Sequence, residues 1–105
     1  MVRLKVRLRV RWTERALEQL REIGAFIALE NIEAAMALVQ RVDASVDRLE
    51  FFPESGRKIP EFPRAPHREV IVPPCRVIYR VDGRIVWVVY VARSERILRR
   101  SHLGN

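Results

Sequence analysis

The chain has 105 residues, of which 49% are hydrophobic and 31% charged, and its formal net charge at pH 7 is +7. A chain of this length and composition can bury a core, so we expect one folded domain over residues 1–105 and exclude a disordered protein. The chain has one cysteine and two distant histidines, which exclude an internal disulfide and a zinc-ligand spacing. It lacks a run of about 20 apolar residues, which excludes a membrane span. We therefore expect a cytoplasmic protein without a cofactor or metal.

Residues 2–12 alternate strictly between apolar and basic side chains, which is the period of a β-strand with one buried face. Within residues 1–12 there are five basic groups and no acidic group. The basic face of this predicted strand has two interpretations. It is either a solvated face that protects a sheet edge, which we favour, or a docking stripe for nucleic acid or an acidic partner.

Two amphipathic helices are predicted next, over residues 13–29 and 32–52. Thr13 and Asn31 are suited to cap their N-termini, and Pro53 ends the second helix. Because so few residues separate the two helices, they must form an antiparallel hairpin. The apolar positions predicted to face the core are Ala16, Leu17, Leu20, Ile23, Phe26 and Ile27 in the first helix, and Met36, Val39, Val42, Val46 and Leu49 in the second.

Residues 53–67 are predicted to be a loop, because they contain four of the six prolines together with Gly56, which is available for a positive-φ turn. This loop is too short to separate two domains. The polar, basic tail at residues 99–105 is expected to be flexible.

Three strands are predicted between residues 68 and 98, and Asp82-Gly83 is expected to form a two-residue type I′ turn between the last two. That turn pairs Val81 with Arg84 and makes one face of the hairpin apolar, with the helices packed on it. The other face is predicted to be a basic working surface. It would carry Arg76, Ile78 and Arg80 with Ile85, Trp87, Val89, Val91 and Arg93, while Cys75, Val77, Tyr79, Val86, Val88 and Tyr90 would face the helices.

The predicted order of elements is β-α-α-β-β-β. Helices and strands that are grouped separately along a chain are typical of the α+β class. We therefore expect a helical hairpin packed on a small, mostly antiparallel sheet.

Several short motifs follow one another in this chain. They are W-T at 12–13, L-E-F-F-P-E-S-G-R at 49–57, R-E at 68–69, R-V-I-Y-R-V at 76–81 and I-V-W-V-V-Y-V-A-R at 85–93. In this order they make residues 10–98 resemble the RelE/ParE superfamily of type II toxin–antitoxin toxins. The long helical hairpin and the Phe-Pro-x-x-Gly-Arg loop are more similar to the ParE branch.

The resemblance implies one of two activities. ParE-like members inhibit DNA gyrase and have no recognised catalytic residues, whereas RelE-like members cut mRNA on the ribosome with the help of arginines. Both are neutralised by a cognate antitoxin that wraps the toxin, which implies a hetero-oligomer. The candidate target-binding residues are Arg68, Arg76, Arg80, Arg93 and Arg96, and the catalytic candidates of a nuclease would be Arg76, Arg93 and His102.

Proton transfer is the difficult step for a nuclease with this sequence, because arginine stays protonated. RelE nucleases place a tyrosine shortly after the last strand, where this chain has residues 97–100, Ile-Leu-Arg-Arg. The groups left for proton transfer are Glu69, Glu95, His67 and His102. We therefore favour a ParE-like toxin over a nuclease, with a generic basic nucleic-acid-binding or inactive toxin-like module as the third interpretation.

Overall fold

A computed structural model describes residues 6–104, in which two helices pack on one face of a five-stranded mixed sheet. The α+β class and the helical hairpin are confirmed, and one strand more than predicted, β2, lies in the 53–67 loop. The elements are β1 (Arg9–Trp12), α1 (Glu14–Ala28), α2 (Ile32–Asp47), β2 (Arg57–Lys58), β3 (Arg68–Val72), β4 (Cys75–Asp82) and β5 (Ile85–Arg93), with 3-10 turns at Arg48–Glu50 and Arg100–Leu103.

The order of strands in the sheet is β1-β5-β4-β3-β2, and only the β1–β5 pair is parallel among the described residues. The mostly antiparallel sheet is thus confirmed. The predicted strand over 2–12 is too long, since pairing begins at Arg9 and the N–H of Leu8 donates to the carbonyl of Glu50 instead. Residues 2–5 of that prediction lie outside the described part of the chain.

Both helices begin at the predicted caps. The Thr13 hydroxyl accepts a hydrogen bond from the N–H of Ala16 at 3.1 Å, and the Asn31 side chain accepts one from the N–H of Ala34 at 3.0 Å. Each cap satisfies an N–H that has no partner within the helix. The second helix ends earlier than predicted, at Asp47, because the chain tightens there into a 3-10 turn.

The core between the helices and the sheet is mainly aliphatic. On α2 the side chains that face it are Ala35, Leu38, Val42 and Val46. Met36 and Val39, which were predicted to be core, are exposed, and so is Phe26 of α1. The reason is that α2 has apolar residues on two adjacent stripes, of which the sheet covers only one.

The hairpin between β4 and β5 has a different turn from the one predicted. Asp82 pairs with Ile85, so Gly83 and Arg84 are the central residues of the turn. Of these two residues, only Gly83 has a positive φ, at 60°. A positive φ confined to the first central position fits a type II′ turn, which uses glycine there, and not type I′.

A β-bulge in β5 is a second departure from the predicted register between β4 and β5. Tyr79 pairs with Val88 but Ile78 pairs with Tyr90, so Val89 is the extra residue. The N–H of Val91 donates to the side-chain oxygen of Gln19 in α1 at 2.8 Å. The bulge turns Tyr90 away from the helices and Val91 towards them, so the predicted faces of both residues are wrong.

The sheet face opposite the helices carries a second, smaller core. The 53–67 loop and the tail fold over this face, which is therefore not the open basic surface that the sequence predicted. The tail, expected to be flexible, has Leu103 buried in this cluster, and its predicted mobility stays a prediction. The members of this second core are Ile59, Ile78, Val89, Tyr90, Ala92, Leu98 and Leu103, with Phe62, Ala65 and Trp87 at its margin.

Gly56 is required for close approach and not, as predicted, for a positive φ, since that conformation is confined to two other glycines of the described chain. A Cβ atom at this position would lie 2.5 Å from the Tyr79 hydroxyl oxygen. The Gly56 N–H donates to that hydroxyl at 3.0 Å, and the hydroxyl donates to the carbonyl of Pro53 at 2.7 Å. The buried tyrosine thereby fastens the loop to the sheet.

Candidate functional site

Arg76 is a buried structural residue at the start of β4, on the face opposite the helices. Its Nε donates to Glu69 at 2.7 Å, and its two terminal nitrogens donate to the carboxylate of Glu61 at 2.8 and 2.7 Å. A further bond runs to the carbonyl of Arg96 at 2.8 Å. Only 6% of the side chain is exposed, which corrects the expectation that this guanidinium projects towards a target.

The charges of this cluster stabilise one another. Hydrogen bonds from Arg76 lower the pKa of Glu61 to about 2, and the bonds to Glu61 and Glu69 raise the pKa of Arg76. Glu69 has no exposed side-chain surface and also accepts a 2.7 Å bond from Arg57. Glu61 lies in the loop and accepts from the N–H of Leu98. The cluster therefore joins the loop and the tail to the sheet.

Arg93 lies on the helix side of the sheet because of the bulge, so its predicted face is wrong. Its guanidinium lies over the ring of Phe26 at 5.8 Å and contacts Glu95 at 3.2 Å. Together with Arg96 it lines a cleft of 390 Å³ between α1 and the end of β5. The remaining residues that line this cleft are Gln19, Glu22, Ile23, Tyr90, Val91, Ala92 and Glu95.

The five predicted target-binding arginines do not form one surface. Arg68 donates to the carbonyl of Gly56 at 2.9 Å, at the far edge of the sheet from β1. Arg80 shares the face of Arg76 and has a 3.5 Å contact with the exposed carboxylate of Asp82. The structure brings together only Arg93 and Arg96, and their cleft is our candidate target-binding site.

Both histidines take part in packing the tail. The Nε2 atom of the buried His67 lies 3.0 Å from the carbonyl of Leu103, and burial lowers the pKa of His67. His102 stacks on Tyr90 with ring centroids 4.7 Å apart. Burial and then the nearby arginines lower the pKa of His102. The nuclease candidates are therefore divided, with Arg93 on one side of the sheet and Arg76 and the His102–Tyr90 stack on the other.

The outer surface of the helical hairpin has an apolar groove that the sequence-based reasoning missed. It is a cleft of 630 Å³ between α1 and α2, with Met36 and Val39 on its wall. Further apolar side chains are exposed near the turn between the two helices, and large exposed apolar surface is typical of interaction sites. The signal in the sequence is the second apolar stripe of α2. The exposed residues are Phe26, Leu29, Ile32, Met36 and Val39.

Two other classes of site are absent from residues 6–104. No group of His, Cys, Asp or Glu side chains there is arranged to hold a metal ion. No helix within this part of the chain is long and apolar enough to cross a membrane.

Two solved structures with similar folds belong to toxin–antitoxin systems. The chain superimposes on a chain of the chromosomal ParDE system from P. aeruginosa with a TM-score of 0.70 and 22% identity, covering 84% of this chain and 97% of the other. A chain of the RelBE2 complex from Mycobacterium tuberculosis gives a TM-score of 0.56 and 19% identity, over 84% and 92% of the two chains. These likenesses establish the fold.

Sequence relatives establish the family. The putative toxin Y4kP of Sinorhizobium fredii is 49% identical over 51 residues, about half of this chain and 53% of its own length. Toxin RelE2 of Caulobacter vibrioides is 33% identical over 87 residues, which are 82% of this chain and 94% of the relative. Residues 10–98 match the family model of the ParE toxin of the type II toxin–antitoxin system parDE. The chain therefore belongs to the ParE toxin family of type II toxin–antitoxin systems, within the RelE/ParE superfamily.

Proposed function

We propose that this toxin inhibits DNA gyrase and is neutralised by a cognate antitoxin that occupies the apolar groove of the helical hairpin. The observation that supports the antitoxin half is the groove itself, since Met36 is 59% exposed on the wall of a 630 Å³ cleft. An amphipathic helix that lays its apolar face into such a groove is a recurring mode of recognition. The fold neighbours from P. aeruginosa and M. tuberculosis are themselves toxin–antitoxin systems.

The state of the proton-transfer candidates supports gyrase inhibition over mRNA cleavage. Glu69 and His67 are buried, and the ring of His102 is stacked against Tyr90. A general base must reach the proton that it abstracts, and these groups are committed to internal contacts. Two exposed carboxylates, Glu22 and Glu95, line the cleft beside its arginines, and the lowered pKa of Glu95 makes that group a weaker base.

The antitoxin interaction is tested by capture of the protein encoded beside this gene. Met36→Asp places a charge on the groove wall and should reduce capture at least tenfold, because an apolar contact is replaced by a carboxylate that must be desolvated. Ala37→Asp is the matched control, since residue 37 is exposed on the same helix but does not line the groove. Equal capture by both variants would place the antitoxin elsewhere.

The gyrase activity is tested by plasmid supercoiling with rising amounts of the purified toxin. We expect inhibition with trapped cleaved plasmid, weakened about tenfold in an Arg93→Ala, Arg96→Ala double variant but not in Arg21→Ala, an exposed arginine of α1. Full gyrase activity at a large excess of folded protein would overturn the proposal. Cleavage of mRNA on ribosomes would then be the activity to measure.

A further inference from the structure

A row of two arginines and a tryptophan crosses the sheet at the margin of the second core, on the face opposite the helices. In the register of the sheet, Arg11 of β1 pairs with Trp87 of β5, and Trp87 pairs on its other side with Arg80 of β4. Directly paired residues of neighbouring strands lie on the same face, with the strands about 4.8 Å apart. The indole is therefore placed between two guanidinium-bearing side chains, and Arg9 lies two residues before Arg11 on the same face.

The charge of this row is only partly neutralised within the described part of the chain. Arg9 and Arg11 are exposed and form no salt bridge with residues 6–104. The carboxylate nearest to Arg80 is that of Asp82, at 3.5 Å, and it is itself 70% exposed. The Nε of Arg80 is buried and has no hydrogen-bond partner. A surface with this excess of guanidinium groups favours an anionic ligand.

The side chain of Trp87 is only partly covered by the second core. Trp87 packs against the margin of the second core and remains half-buried, so part of the indole stays accessible. A second copy of this chain is a poor occupant, because it would bring further arginines against Arg9 and Arg11. An acidic polypeptide would use the charges but not the indole. Nucleic-acid bases use both, since each base can stack on an aromatic side chain while arginines bind the phosphates.

We propose that the Arg11–Trp87–Arg80 row, with Arg9 beside it, binds single-stranded nucleic acid. A base stacks on Trp87, and the flanking guanidinium groups bind the phosphates on either side. This surface is on the face of the sheet opposite the helical groove, so the inference is independent of the proposed antitoxin site. β1 is an edge strand of the sheet, so the interpretation of its basic stripe as edge protection stays a prediction, to which the proposal adds a binding role for Arg9 and Arg11.

The test is fluorescence anisotropy with a labelled 12-nucleotide oligo-dT and the full chain. We expect saturable binding. A plot of the logarithm of the association constant against the logarithm of the salt concentration should have a slope of about −2, as three phosphate contacts to a single strand would give. Arg11→Gln and Arg80→Gln should each weaken binding at least fivefold. Trp87→Leu should weaken it between about fivefold and a hundredfold through loss of stacking. The matched control Arg21→Gln removes an exposed helix arginine and should change affinity less than twofold.

Three results would overturn the proposal. They are the lack of saturable binding by the folded wild-type chain, an equal loss in Arg21→Gln, and displacement of the oligonucleotide by poly-glutamate at the same concentration as by unlabelled oligo-dT. The last result would assign the row to an acidic protein. Met36→Asp should leave oligonucleotide binding unchanged while it reduces antitoxin capture, so failure of this inference and failure of the proposed function are distinguishable. Circular dichroism melting of each variant verifies that it is folded.

Discussion

The two faces of the sheet are stabilised by different chemistry. The face towards the helices is mainly aliphatic, with Val77, Val86 and Val88 fully buried beside the ring of Tyr79. The opposite face combines a small apolar cluster with a buried arginine that binds two carboxylates. Hydrophobic burial is non-directional, whereas a buried charge requires each of its partners in place. The second face therefore positions a loop and a tail that contain little regular structure.

This difference changes how far an arginine on each face is available to bind a target. Arg76 is buried and uses four of its five N–H donors in internal hydrogen bonds, so it has little left to offer a target. Arg93, by contrast, lines an open cleft with one carboxylate contact. Position within a family motif does not separate these two cases, but burial does.

The largest expected effect is that of Arg76→Ala, which should lower the free energy of unfolding by about 3–5 kcal/mol. The reason is that Glu69 remains buried after it loses one of its two cationic partners. Urea unfolding measures the loss. Arg80→Ala is the control, because it is on the same strand and face with a single long contact, and should cost less than about 1 kcal/mol. If Arg76→Ala lost as little stability as this control, the buried cluster would add no stability.

The elements of the fold could be predicted because their signals are local. Thr13 and Asn31 were identified as caps, and the strands were recognised from their β-branched runs and their separation by turn residues. The partners of Arg76 could not be identified, since Glu61 lies in a proline-rich loop whose path depends on the packing of Ile59 and Phe62. The resemblance gave the family and the antitoxin expectation, but it placed Arg76 on a binding surface where the structure has a buried cluster.

An intermediate loss of stability is expected from acid, and it sharpens the comparison because the carboxylates of the buried cluster, Glu61 and Glu69, belong to the face opposite the helices. The pKa of Glu61 is about 2 in the folded chain against an ordinary value of 4.5. Since the folded pKa is the lower one, its contribution is complete above pH 4.5 and is lost as the pH falls towards 2. We expect a loss of roughly 2 kcal/mol across this window.

The measurement is thermal unfolding at pH 7, 4.5 and 3. Glu61→Gln should be less stable than the wild type at pH 7 and should lose less stability on acidification, because the amide does not titrate. If the variant and the wild type lost the same stability between pH 4.5 and 3, the charge of Glu61 would not be what fastens the loop.

The register of β5 could not be predicted, since it depends on a contact between residues far apart in the sequence. Asp82-Gly83 correctly located a hairpin, but the central residues of the turn are Gly83 and Arg84. The bulge then moved the face of every later residue of the strand. Its N–H partner, Gln19, belongs to α1, and nothing in the period of the helix marks this side chain as structural.

The smallest expected effect is at this bulge, and it decides which face presents Arg93. Gln19→Met keeps the length of the side chain but removes the acceptor for the Val91 N–H, so the free energy of unfolding should fall by about 1 kcal/mol. Gln19→Glu keeps an oxygen at the same reach and is the matched control. Hydrogen exchange at Val91 should become severalfold faster in the methionine variant and not in the glutamate variant.

A shift of the bulge would also change which side chains face the cleft. Without the extra residue in β5, Arg93 would turn to the face of Arg76, and Tyr90 would turn towards the helices. Gln19→Met should therefore weaken gyrase inhibition if Arg93 contacts the target, while Gln19→Glu should retain it. If both variants inhibited equally while exchange at Val91 differed, the bulge would serve the packing of Tyr90 and His102 alone. The target-binding arginines would then have to be sought on the Arg11–Trp87–Arg80 side of the sheet.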